Sequence, residues 1–404
     1  MSKKKEKLLI IAGAGASVGF DMFSSSDIEK MFEANGPTKI KVRNRSESLY
    51  KYIKQGLLRY HRNRKAMNGK VVSKSERDKI SVYFEEVVYQ LLNIYSMQAD
   101  HHKNGVTAFF DLKKMPLKIG HKKVNAYDYY NEANTLVADL LDKMREKCGV
   151  LPKYKIKLLK NLLCCLNGDF QLGVVNLNYD NILYRCMPQK TEMGFDNTGA
   201  FNPDSILNNY NWNFFYHLHG SVHFYYDNFE IKFAKRCTMN AAVNSNKVRY
   251  SHEETTEGFP ILTSPIIVGY GKAWQIQREP YLFYYNDLSR RIKEADKILF
   301  IGYSFGDLHL NKLIQMSLRH QKKKKIVIID YAQQGNGILH RQDNWSSEIF
   351  KIMRLDASEF RPCLVTDLSN KNPFERNTNK SVALSYKGLD FFMKNPALLV
   401  SELK

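Results

Sequence analysis

Five short apolar runs constrain the fold of this chain more than anything else in it: Leu8 to Ala12, Gly173 to Leu177, Ile261 to Val268, Lys297 to Tyr303 and Lys325 to Asp330. Each is rich in aliphatic residues, lacks polar alternation and is bounded by glycine or polar residues, the habit of a strand buried on both faces in a parallel sheet. Between the last three lie segments of helical periodicity, Glu279 to Ala295 and Asp307 to Arg319. Strand and helix alternating at that spacing imply βαβ units with right-handed crossovers. The expected fold class is α/β: a doubly wound, mostly parallel, Rossmann-like sheet.

The first run is separated from the second by about 160 residues of different character. Lys39 to Lys79 is polar and basic, whereas Val82 to Tyr95 and Ala126 to Lys147 carry apolar residues at helical spacing. This reads as a large, mostly helical insertion. Gly194 to Asn213 reads as a loop, Asp227 to Glu257 as a variable region, and the residues after His340 as a short C-terminal appendage of helices with room for a strand. The expected boundaries are a first βα unit over 1–38, the insertion over 39–165, the remainder of the core over 166–335 and the appendage over 336–404.

Composition narrows the function classes. With 44% hydrophobic and 25% charged residues the chain has ordinary globular usage and can bury a core. The 61 Lys and Arg against 41 Asp and Glu leave a net charge of +20, which favours anionic partners without choosing among nucleotides, nucleic acid, acidic proteins and an anionic membrane surface. Much of that charge sits in short runs, Lys3 to Lys5 and Lys322 to Lys325, and in Lys39 to Lys70. A solvated basic surface and a nucleic-acid patch both fit this pattern. The six cysteines form no Cys-x-x-Cys pair, so neither a zinc ribbon nor a dithiol redox motif is expected. The N-terminal lysines followed by Leu8 to Ala12 mimic a secretory signal, but the apolar core is too short, and no stretch reaches the roughly 18 apolar residues of a membrane helix. The expectation is a soluble, cytoplasmic protein with no membrane partner.

Four motifs carry chemistry. Gly13-Ala14-Gly15-Ala16-Ser17 follows the first strand, where glycines let the backbone turn tightly and approach a pyrophosphate. Asn176-Leu177-Asn178-Tyr179-Asp180 ends the second strand, on the edge where ligands sit in open α/β sheets; Asn178 and Asp180 there read either as site residues or as a turn or helix cap. His217-Leu218-His219-Gly220-Ser221 supplies a histidine that can accept a proton near neutrality, beside a glycine that leaves room for a substrate. The fourth, Gly302-Tyr303-Ser304-Phe305-Gly306-Asp307-Leu308-His309-Leu310-Asn311, is a second glycine turn that opens a helix, with Asp307 in the position of its N-cap.

The order and spacing of these four motifs resemble the sirtuin-like NADase domains of bacterial antiphage defence, over about residues 8 to 330 with the insertion largely unmatched. The resemblance implies NAD as the substrate, with Gly13, Ala14, Gly15 and Ser17 on its phosphates and ribose and Gly302 and Ser304 on the adenosine half. It makes Asn178, Asp180 and His219 catalytic, and adds Asp330 as a ribose contact. Asp21 matches the acid of a sirtuin Pro-Asp-Phe-Arg loop, although Phe20-Asp21-Met22-Phe23 here lacks the arginine. It implies no zinc, since sirtuin deacylases carry two Cys-x-x-Cys pairs that this sequence lacks. Homo-oligomers, and partners such as a HerA-type ATPase or an Argonaute-related protein, follow from the same resemblance.

The activity so implied is cleavage of NAD to nicotinamide and ADP-ribose, with Asn178 placing water or a ribose hydroxyl, His219 accepting the proton and Asp180 orienting the site. Two rivals stand beside it. An NAD-dependent protein deacylase would turn over acetyl-peptide. A catalytically idle NAD-sensing or nucleic-acid-binding subunit would bind DNA with steep salt dependence and leave NAD intact.

Overall fold

A computed structural model describes residues 4–42, 45–67, 81–99, 118–119, 122–227, 230–235, 253–254, 260–262, 264–269, 272–319, 324–332, 337–340 and 344–404. Seven strands form the central sheet: β1 Glu6–Ala12, β2 Phe170–Asn176, β3 Phe215–His217, β4 Lys297–Ile301, β5 Lys325–Ile329, β6 Glu375–Arg376 and β7 Val382–Ser385. Their order is β6-β7-β5-β4-β1-β2-β3. Every neighbouring pair is parallel except the edge pair of β6 with β7. The residues of β1 from Leu8 to Ala12 and all of β4 are buried, because helices cover both faces.

From β1 the chain goes to β2 on one side, and after β3 it returns to β4 on the other. This reversal between β1 and β4 is the topological switch point of a doubly wound sheet. Right-handed crossovers then send the helices to opposite faces. Helix Lys153–Asp169 packs with Gly388–Lys394 and Pro396–Leu403, whereas Tyr281–Glu294 packs with Leu308–Leu318, which in turn meets Asn344–Met353.

Two sequence expectations change. The run Ile261 to Val268 is not a parallel strand of the sheet: Pro260–Ile261 pairs antiparallel with Glu253–Glu254, and Ile266 makes an isolated antiparallel bridge to Gly220. Pro265 has no N–H to give a ladder, which breaks the run. The position beside β2 goes instead to Phe215–His217, a strand too short to read from the sequence. The C-terminal stretch also extends the sheet, since β7 lies against β5 with Ile326 to Ile329 opposite Val382 to Ser385.

Between β1 and β2, the described residues contain a hairpin, Lys39–Val42 with Arg45–Ser48, and the helices Leu49–Met67, Phe84–Ala99 and Ala126–Gly149. The last begins at a capping box in which Asn125 and Asp128 satisfy each other's backbone amides. Glu132, wholly buried on that helix, accepts the amides of Thr38 at 2.7 Å and Tyr50 at 2.9 Å and so ties the helix to the hairpin. Much of the basic stretch around Lys70, the Lys322 to Lys325 run and the region up to Glu257 lies outside the described residues.

Candidate active site

The register of the parallel strands assembles the site. Ile301 stands opposite Ala12, Ala12 opposite Asn176, and Asn176 opposite His217. Each of these residues ends or nearly ends its strand, so the turns that follow leave from one edge of the sheet. Asn178 and His219 each lie two positions beyond a register-matched residue on adjacent strands. Ladder bonds continue past the strand ends, with the Leu177 amide on Ala12 O and the Leu218 amide on Asn176 O. The spacing of the two side chains is therefore set by the sheet.

Around Asn178 the polar atoms form a closed network. Its Nδ2 donates to Gly13 O and to Ser17 Oγ, both at 2.8 Å. Ser17 Oγ in turn donates to Asp180 Oδ2 at 2.6 Å, and Asp180 Oδ1 accepts the Ile182 amide at 3.0 Å. A carbonyl oxygen can only accept, so Gly13 O fixes which end of the Asn178 amide faces it. Both N–H groups of Asn178 are thereby engaged, and its Oδ1 is the end directed elsewhere. Asn176 clamps the turn from below: its Nδ2 donates to Asn178 O and its Oδ1 accepts the Asn178 amide. Burial pushes the Asp180 carboxyl up, and the bonds from Ser17 and Ile182 work against that shift.

The two glycine turns meet each other. The Gly13 amide donates to Ile301 O and the Gly15 amide to Gly302 O, both at 3.0 Å. A Cβ on Gly302 would stand 2.3 Å from Ala16 N, and the Gly302 φ of +58° lies in the left-handed region. Glycine is thus required here for close approach of backbone to backbone. Ala14, Gly15, Ser304 and Gly306 remain exposed around this seam.

His219 is held from its backbone and its ring. Its carbonyl accepts the Ile267 amide at 2.8 Å, while Ile267 O accepts the Tyr179 hydroxyl at 2.9 Å, so one segment anchors both turns. Its Nε2 stands 2.8 Å from Asp307 Oδ2, at ion-pair distance but without hydrogen-bond alignment. Asp307 does cap its helix, Oδ1 accepting the Leu310 amide at 3.0 Å, and its other oxygen also takes Lys272 Nζ at 3.3 Å. Burial acts to raise the Asp307 carboxyl, but His219, Lys272 and the Leu310 amide together hold it well below the usual carboxylate range. Burial likewise acts to lower the Lys272 ammonium and is outweighed by Glu85 and Asp307, so the net direction is up.

Of the residues singled out in the sequence, Gly13, Ser17, Asn178 and Asp180 share one network, Gly13 and Gly15 pack on Gly302, and His219 enters from the next strand. Ser17 was expected against NAD; in the structure its hydroxyl is taken up within the protein. Ser304 is exposed on the turn after β4. Asp330 follows β5, farther along the edge, with its Oδ1 on the Tyr331 amide. Asp21 is exposed, has φ +63° and lies outside the Asn178 network. The sequence offers Asp307 either as part of the nucleotide-binding glycine turn or as a helix N-cap, and it does not reach Lys272 or Glu85, which no local motif marks.

The family model for a SIR2-like domain matches residues 173–352. That span holds Asn178, Asp180, His219 and the Gly302 turn, and it begins after the Gly13 turn and Glu85. No curated protein gives a match. A solved structure of Sir2Tm bound to a propionylated peptide aligns over 82% of this chain and 83% of that chain, at 12% identity and a TM-score of 0.30.

Proposed function

We propose that the protein hydrolyses NAD at the nicotinamide-ribose bond, releasing nicotinamide and ADP-ribose. The observation that carries this reading is the orientation of Asn178, whose amide is locked by Gly13 and Ser17 at the switch point with His219 on the neighbouring strand end. Nicotinamide leaves a cationic ring as a neutral group, so the protein must stabilise positive charge developing on the ribose and place a nucleophile. The Asn178 Oδ1 is a preorganised acceptor suited to both tasks. His219 accepts the proton of the attacking water or hydroxyl. Asp180 acts through Ser17, holding the hydroxyl that holds Asn178.

The small, exposed residues Ala14, Gly15, Ser304 and Gly306 suit a backbone-lined nucleotide path at the carboxyl ends of β1 and β4. Hydrolysis is favoured over deacylation because this sequence has no pair of Cys-x-x-Cys motifs. A role in antiphage defence, with silence until assembly or until a HerA-type partner binds, rests on the resemblance of the motifs alone.

The test is chromatographic analysis of NAD incubated with the purified protein, with and without acetyl-peptide, beside Asn178→Ala and His219→Ala. Equimolar nicotinamide and ADP-ribose, independent of peptide and lost in both variants, is the expected result. Peptide-dependent turnover would replace hydrolysis by deacylation, and wild-type rates in both variants would end the assignment.

A further inference from the structure

Three charged side chains outside the Asn178 network form a chain that ends at His219. Asp307 Oδ2 lies 2.8 Å from His219 Nε2, Lys272 Nζ lies 3.3 Å from the same oxygen, and Glu85 Oε1 lies 3.7 Å from Lys272 Nζ. Only 5% of the Asp307 side chain and 11% of the Lys272 side chain is exposed. Buried charges of this kind are costly unless paired, and each here has its partner. The phenols of Tyr179, Tyr285 and Tyr303 face the same region and are all pushed further up by burial, so they add no charge near neutrality. The chain Glu85, Lys272, Asp307 carries one negative charge in excess, facing the His219 ring.

A helix N-cap needs one carboxylate oxygen, and Asp307 spends Oδ1 on Leu310. Its second oxygen, shared between a lysine and a histidine, has no part in capping. Glu85 belongs to helix Phe84–Ala99 of the insertion, whose first turn also lies against the segment that holds His219: a Cβ on Gly269 would stand 3.3 Å from Glu85 O. The insertion thus reaches His219 by two routes, one ionic and one through the backbone that gives Ile267 to His219.

We propose that Asp307 is the positioning residue of His219, that Lys272 fixes Asp307 in that task, and that Glu85 makes the helical insertion part of the active site. Resting on the hydrolase reading above, it assigns Asp307 the ring nitrogen Nε2 and leaves Nδ1 to face the substrate. A fixed carboxylate 2.8 Å from Nε2 favours the proton on that nitrogen and leaves Nδ1 as the acceptor.

Two readouts test it. Asp307→Asn keeps an oxygen for the Leu310 amide and so keeps the cap, but removes the charge. Its kcat for NAD should fall about ten- to a hundredfold, with KM within about threefold, the scale of losing the residue that orients a functional imidazole. Lys272→Met should fall by a smaller factor, and Glu85→Gln by about two- to fivefold. Independently of activity, 15N NMR of the imidazoles, with the His219 signals identified by their loss in His219→Gln, reports which ring nitrogen carries the proton. The expected spectrum has Nε2 protonated in the wild type and a redistribution between the two nitrogens in Asp307→Asn and Lys272→Met. An unchanged tautomer and unchanged kcat in both variants would overturn the proposal, and an unchanged Glu85→Gln would sever the insertion from the site. If the wild type leaves NAD intact, the hydrolase reading fails, while the NMR experiment still decides the positioning of His219.

Discussion

Replacing His217 by leucine should flatten the acid side of the stability curve. The His217 ring is wholly buried, lies 4.9 Å from Phe215 and 5.6 Å from Phe224 between ring centroids, and has neither nitrogen hydrogen-bonded among the described residues. Burial, with a smaller contribution from His223, drives its imidazole down to about 3 from the ordinary 6.5. Because the folded value lies below the unfolded one, the unfolded chain binds more protons between them, and stability falls as the pH drops through that window. Taking the medium from about pH 7.5 to about pH 5 protonates His217 only in the unfolded chain and costs about 2 kcal/mol. Urea unfolding followed by tryptophan fluorescence at a series of pH values measures this. His223, also lowered by burial, is retained in both proteins. The wild type should lose about 2 kcal/mol more than His217→Leu over that interval. Parallel curves would refute the reasoning, since they would mean that the ring takes up its proton in the folded state.

Gly302→Ala should cost about 3 kcal/mol or more, because its Cβ meets the backbone of Gly15 and Ala16 at a left-handed φ, whereas Gly306→Ala, whose Cβ comes no closer than 3.4 Å to Ser304 Oγ, should stay within about 1 kcal/mol; thermal melts compare the two. Asn178→Ala should lower stability by about 1–3 kcal/mol beyond its loss of NAD cleavage, since it leaves Gly13 O and the Ser17 hydroxyl without their donor; urea midpoints would show it. Arg291→Met should be among the most damaging single changes, about 3–5 kcal/mol, because the buried Arg291 bonds Asp287 at 2.8 Å and the carbonyl of Asn209 at 2.6 Å; a soluble variant with an unchanged melt would contradict this.

The parts of the fold legible in the sequence are those where one local pattern decides. Leu8 to Ala12 and Lys297 to Ile301 can only be buried strands, and the glycines that follow them can only be turns. Phe215–His217 was hidden because three aromatic residues show no periodicity, and its place in the sheet comes from neighbouring Val174 to Asn176. Ile261 to Val268 misled because hydrophobicity says nothing of hydrogen-bonding capacity, which Pro265 removes. Asn178 stands out from its position at a predicted strand end, whereas His219 stands out only from its own motif and its order among the other three, because the strand before it does not show in the sequence. Lys272 and Glu85 were not legible, since nothing within reach of either in the chain shows that one side chain would bridge from an insertion helix to a cap residue. Asp307 was half legible: a cap declares itself by position, but the use of its second oxygen depends on a strand that ends about 90 residues earlier.

The seam between the Gly13 and Gly302 turns has a mechanical consequence. Two flexible fingers could each adjust to a ligand, but these share backbone hydrogen bonds and leave no space for a side chain between them. Opening one requires peeling the other from β4 and β5, through the Gly302 amide on Ile329 O at 2.7 Å. The paired turns therefore behave as one rigid plate anchored in the middle of the sheet. Its amides should exchange with solvent deuterium as slowly as the strands themselves, and any adaptation to a bound nucleotide must come from the rim, where Ala14, Ser304 and Gly306 lie exposed.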